Sequence, residues 1–146
     1  MHTTVASPIH LVFALSAFAG VSSVVLLDVR QPGEVAEASV ADADAGGRKV
    51  LYVPVTLDDS SAMSEAFLAS HQLAKDQALV VFCRSGRRAG VAKAALEALG
   101  CTAVTNGGTV DDVKAALLAG AKAGAFNTMA TLFGGINSMI HTLFII

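Results

Sequence analysis

Cys83-Arg84-Ser85-Gly86-Arg87-Arg88 sets a soft nucleophile beside three guanidinium groups and a glycine within one short stretch. An apolar, β-like run, Ala78-Leu79-Val80-Val81-Phe82, leads into it, and an alanine-rich helical pattern from Ala89 to Leu99 leads out. A cysteine delivered by a strand to the start of a helix faces unpaired amides and the positive end of the helix dipole, which favour thiolate over thiol. The arginines strengthen that field locally, in a chain whose formal net charge is −2. The chemistry expected is nucleophilic, with an ionised sulfur attacking an anionic substrate. A buried strand-end cysteine beside a solvated basic turn is the plainer alternative. The glycine, the arginines and the strand-to-helix position weigh against it.

Other reactive side chains offer less. His2, His10, His71 and His141 have no metal-ligand spacing with one another or with a cysteine, so no metal and no cofactor are expected. Cys83 and Cys101 are too few for a disulfide scaffold and lack CxxC spacing, which points to a reducing compartment and a cytoplasmic location. Cys101, just after the helix-ending Gly100, reads as a small buried hydrophobe. Asp58-Asp59 and Asp111-Asp112 read as turn and helix-cap carboxylates rather than an acid-base pair. Ser85 has no His/Asp relay to activate it. His71 near a helix end reads as a surface residue, and Tyr52 and the phenylalanines read as core.

Five short runs read as the strands that position the cysteine: Thr3 to Ala6, Val24 to Val29, Val50 to Val55, Ala78 to Phe82, and Thr102 to Thr105. They are almost continuously apolar, as strands covered on both faces are. Helical patterns alternate with them: one from Ser7-Pro8 to Gly20, then Glu34 to Val40, Ser61 to His71, Gly90 to Leu99, and Asp111 to Leu118. Asp42 to Gly47 reads as a loop. The alternation predicts an α/β fold, a five-stranded, mostly parallel sheet flanked by helices on both faces, with an extra apolar C-terminal helix.

The chain has 146 residues, ordinary for one domain and long enough for a real core. A mean hydropathy of +0.60 is greasy, in keeping with a sheet buried on both faces or with a membrane or partner contact. The net charge and a pI near 6.0 give no case for nucleic-acid binding. Ala17-Phe18-Ala19 has the form of a signal-peptide cleavage site, but no lysine or arginine precedes it, and cutting there would remove the first strand and helix. From Ala123 to Ile146 no charged residue occurs, a length sufficient to span a bilayer. Phe126, Met129, Phe133, Ile136, Ile140 and Leu143 nevertheless form a stripe at helical spacing, interrupted by Gly134-Gly135. A helix packed on the domain, on a second copy or on a partner is preferred to a membrane span.

Taken in order, several segments resemble the rhodanese family of sulfurtransferases. Leu26-Leu27-Asp28-Val29-Arg30 followed by Gln31-Pro32-Gly33-Glu34 is similar to the family's Asp-Val-Arg motif and its Pro-x-Glu turn. Val50 to Pro54 resembles the proline-ended strand after it, Val80 to Arg88 the active-site loop, and Asn106-Gly107-Gly108 the closing Gly-Gly segment. The family's Gly-His-Ile-Pro-Gly-Ala stretch is replaced by Ala38 to Lys49, without histidine or proline. The resemblance ends near Leu118, so residues 1–122 are expected to form a rhodanese-like domain and 123–146 a separate apolar tail.

The resemblance implies that Cys83 takes a sulfane sulfur from a small anionic donor such as thiosulfate, becomes a persulfide, and passes the sulfur to a thiol or cyanide-like acceptor. Amides of Arg84 through Arg88 would then surround the sulfur. Arg84 and Arg87, with Ser85, Gly86 and Arg88, would bind the donor. Asp28 and Arg30 would orient the loop, with Asp28 paired to Arg88. Two alternatives stand beside this. A cysteine phosphatase or arsenate reductase needs one residue more than the four that separate Cys83 from Arg88. A non-catalytic rhodanese-type binding or sulfur-sensing module usually lacks the cysteine.

Overall fold

The computed structural model describes residues 24–40 and 47–119. Valine- and leucine-rich runs build four strands there: β1 (Val25–Asp28), β2 (Val50–Tyr52), β3 (Leu79–Cys83) and β4 (Val104–Thr109). They form one all-parallel sheet in the order β2-β1-β3-β4, so β1 and β3 lie inside. Four helices alternate with them: α1 (Pro32–Glu37), α2 (Glu65–Ser70), α3 (Arg87–Ala98) and α4 (residues 110–119).

Alternation along each inner strand divides the core. Val25, Leu27, Leu79, Val81 and Cys83 face one side and pack with Phe67 and Leu68 of α2 and Ala89, Ala92 and Leu96 of α3. Leu26, Val80 and Phe82 face the other and pack with Val113, Ala116 and Leu117 of α4. Both faces of the inner strands are therefore dry, which is why their sequences run apolar without a break.

Local signals start the helices. Pro32 stands in the first turn of α1, where its missing N–H costs nothing. The Ser64 hydroxyl accepts from Phe67 N–H at 3.2 Å to cap α2. Thr109 and Asp112 cap α4 reciprocally: Asp112 N–H donates to Thr109 Oγ1 at 3.1 Å, and Thr109 N–H donates to Asp112 Oδ2 at 2.9 Å.

The α/β class and parallel pairing match the expectation, with differences in extent. β4 continues to Thr109 because Asn106-Gly107-Gly108, turn-like in composition, stays in the sheet through a bulge. β2 ends at Tyr52, although Val53 and Val55 N–H still donate to Asp28 and Val29 carbonyls. α3 begins at Arg87, earlier than the alanine pattern indicated. Tyr52 is not core: at the end of β2, an edge strand among the described residues, its side chain is half exposed. The expected strand Thr3 to Ala6, the helix beginning at Ser7-Pro8, most of the Asp42 to Gly47 loop and the tail 123–146 lie outside the described residues. Among those residues, no helix is long and apolar enough to cross a membrane.

Candidate active site

At the C-terminal end of β3 the chain turns directly into α3, and this junction carries Cys83 and the three arginines. Gly86 is the N-cap of α3 and has φ of 81°, a left-handed conformation that costs a glycine little. That geometry turns the Gly86 N–H back onto Cys83, where it donates to Sγ at 3.1 Å. The ring of amides expected around the sulfur is narrowed to this one observed donor. Cys83 itself is fully buried, whereas Arg84 and Ser85 are exposed at the surface of the loop.

Arg88, on the first turn of α3, points inward and forms a two-pronged pair with Glu34 of α1. Its Nη1 and Nη2 donate to Glu34 Oε2 and Oε1, each at 2.7 Å. Such fork-to-fork geometry fixes the plane of the guanidinium as well as its position. Glu34 Oε2 also accepts from Gln31 N–H at 2.9 Å, so one carboxylate both caps α1 and holds Arg88. The Arg88 hydrogen bonds, then the Gln31 amide, lower the Glu34 pKa to about 2. Hydrogen bonding to Glu34 pushes the Arg88 pKa up; burial opposes that, and the Cys83 sulfur beside it adds to the upward push.

The expected Asp28–Arg88 pair does not form. Asp28 instead holds Arg30, whose Nε and Nη2 donate to Oδ1 and Oδ2 at 2.9 and 2.7 Å. The same guanidinium donates to the carbonyls of Glu34 at 3.0 Å and Ala38 at 2.6 Å. Both side chains are buried, and hydrogen bonding to Asp28 pushes the Arg30 pKa up against the effect of burial. Arg30 thus adds a donor to the Glu34 carbonyl, which also accepts from Ala38 N–H at 3.4 Å, and satisfies the carbonyl of the C-cap Ala38. Asp28 and Arg30 reach the cysteine loop indirectly, by fixing the helix that carries Glu34. Asp28 is engaged by Arg30 through three hydrogen bonds, and Arg88 pairs with Glu34 instead.

Glu34 and Asn106 were not expected to act here. Glu34 could have been singled out from its place in the Pro-x-Glu turn. Asn106 is buried at a β4 position where strand alternation calls for an apolar side chain, and its amide donates to the Gly86 carbonyl at 2.9 Å.

The charge balance at the site follows. Arg30 and Arg88 are neutralised by carboxylates, while Arg84 and Arg87 are exposed and enter no salt bridge among the described residues. Cys101 is buried away from these groups, and desolvation pushes its pKa up. Among the described residues no group of three or more His, Cys, Asp or Glu is arranged to hold a metal ion. No protein-family model, curated protein or solved structure matches the chain.

Proposed function

We propose that the protein is a thiosulfate sulfurtransferase of rhodanese type, working through a persulfide on Cys83. The observation that carries this reading is the Gly86 amide aimed at Cys83 Sγ at 3.1 Å, from a left-handed glycine that starts a helix. A hydrogen-bond donor pre-aimed at sulfur favours its anionic states without reorganisation during the reaction. Arg88, held by Glu34, keeps its guanidinium fixed beside the sulfur, and the exposed Arg84 and Arg87, in no salt bridge among the described residues, would receive a dianionic donor.

In the first half-reaction the Cys83 thiolate attacks the outer sulfur of thiosulfate. The S–S bond of thiosulfate breaks, sulfite leaves with its electron pair, and Cys83 carries a persulfide anion. In the second, cyanide or a thiolate attacks the terminal sulfur, and the Cys83 thiolate leaves and is regenerated. Starting from the ionised thiol, neither half needs a general base or a cofactor. Because the resting sulfur is buried, the exposed Arg84-Ser85 segment must shift to admit the donor.

The finer features of the fold belong to the same reading: a rhodanese-like domain over 1–122 with Thr3 to Ala6 as a fifth strand, and an apolar helix over 123–146 packed on the domain, a second copy or a partner. A cytoplasmic setting suits a catalytic thiol in a chain whose two cysteines are free.

The test is thiocyanate formation from thiosulfate and cyanide. Wild-type protein is expected to form it, and Cys83→Ser to form none while remaining folded. Hydrolysis of p-nitrophenyl phosphate with no thiocyanate would favour phosphatase chemistry instead. Failure of both reactions would favour a binding or sensing module.

A further inference from the structure

We propose that Asn106 is a positioning residue for Cys83, acting through Gly86; its role in sulfur transfer rests on the function proposed above. Glycine visits both signs of φ readily, so the left-handed Gly86 is held by its partners rather than by its own sterics. On one side, its N–H donates to Cys83 Sγ. On the other, its carbonyl accepts from Gly90 N–H within α3 and from Asn106 Nδ2, each at 2.9 Å. Among the described residues, Asn106 is therefore the hydrogen-bond partner from outside the loop and its helix that holds this residue.

The strand is built to aim that amide. Val81 pairs with Asn106 and Phe82 with Gly108, leaving Gly107 as the extra residue of a bulge. A bulge redirects neighbouring side chains, and here it stands beside the loop. Gly108 N–H donates to Asn106 Oδ1 at 3.0 Å, which fixes the amide's orientation so that its nitrogen faces Gly86. Gly107 must lack a side chain, because a Cβ there would lie 2.8 Å from Val80 Cγ1 and 2.9 Å from Val113 Cγ2. Burying a polar side chain in an otherwise apolar layer is unfavourable unless every partner is supplied, and both functional ends of Asn106 are supplied by backbone of the site and its strand.

Asn106→Asp keeps the acceptor for Gly108 but removes the donor to Gly86. Two measurements on the full chain read the result. Amide hydrogen exchange by NMR should show protection lost at Gly86 while Leu27 and Val81 in the inner strands keep theirs. Single-turnover loading of sulfur from thiosulfate should slow by on the order of tenfold or more, with the half-saturating thiosulfate concentration changed by less than about twofold. Val104→Ala, which thins the core beside β4 away from the loop, should leave the loading rate per folded molecule unchanged. Asn106→Ser, which opens a gap instead of adding charge, serves if the aspartate variant does not fold. Protection at Gly86 unaltered in the variant overturns the proposal, as does a freed Gly86 with loading at the wild-type rate. If wild-type protein takes up no sulfur, the function proposed above fails, and the exchange measurement still decides whether Asn106 holds Gly86 on Cys83.

Discussion

The two ends of the sheet differ in kind. Asp28 and Arg30 at the C-terminal end of β1, and Asn106 midway along β4, are the three buried polar or charged side chains of the described residues. Each is satisfied by named partners around the cysteine loop or α1. At the opposite end, Val24, Ala78, Leu79, Val80 and Val104, with Thr102, Ala103 and Thr105, line a largely apolar groove among the described residues. One end is lined mainly by apolar side chains; the other carries groups that are costly to bury and that have named hydrogen-bond partners. Packing and the polar network around Cys83 are drawn from the same strands but from different residues.

Substitutions sharpen or break that separation. The largest loss is expected from Asp28→Ala, which strands the buried Arg30 guanidinium: about 3–5 kcal/mol in urea unfolding, with weakened sulfur loading because α1 and Glu34 lose their anchor. Leu79→Ala at the apolar end should cost about 2–5 kcal/mol yet leave loading per folded molecule unchanged. A site effect from Leu79→Ala would break the comparison.

Glu34→Gln should do the reverse, costing at most about 1 kcal/mol because the pair is partly exposed, while slowing sulfur loading by releasing Arg88. Its pH dependence has a definite sign. The folded Glu34 pKa, about 2, lies below its ordinary value of 4.5, so the stabilisation is fully present above pH 4.5 and is lost as pH falls toward 2. The stability gap between wild type and Glu34→Gln should therefore be constant near neutrality and close on acidification. A gap that widens in acid would contradict the Arg88 pairing.

The sequence made the inner strands, the α/β alternation and the Cys83 junction legible because each rests on local pattern: continuous apolar runs, and a cysteine between a strand and a helix. The partners were harder to read. Asp28 and Glu34 are both plausible acceptors for Arg88, and in the fold Asp28 is engaged by Arg30 while Arg88 pairs with Glu34. Asn106-Gly107-Gly108 has the composition of a turn, and its continuation as strand depends on the close approach of Val80 and Val113, which no local pattern records. The edge position of Tyr52 among the described residues is likewise a property of strand order.

The central claim is that Cys83, under the Gly86 amide, carries a second sulfur. Peptide mass spectrometry of the full-length protein after exposure to thiosulfate tests it most directly, with the buried Cys101 as an internal control. The account predicts one added sulfur atom on the peptide containing Cys83, removed by cyanide, and none on Cys101. No addition at Cys83, or equal addition at both cysteines, would contradict it.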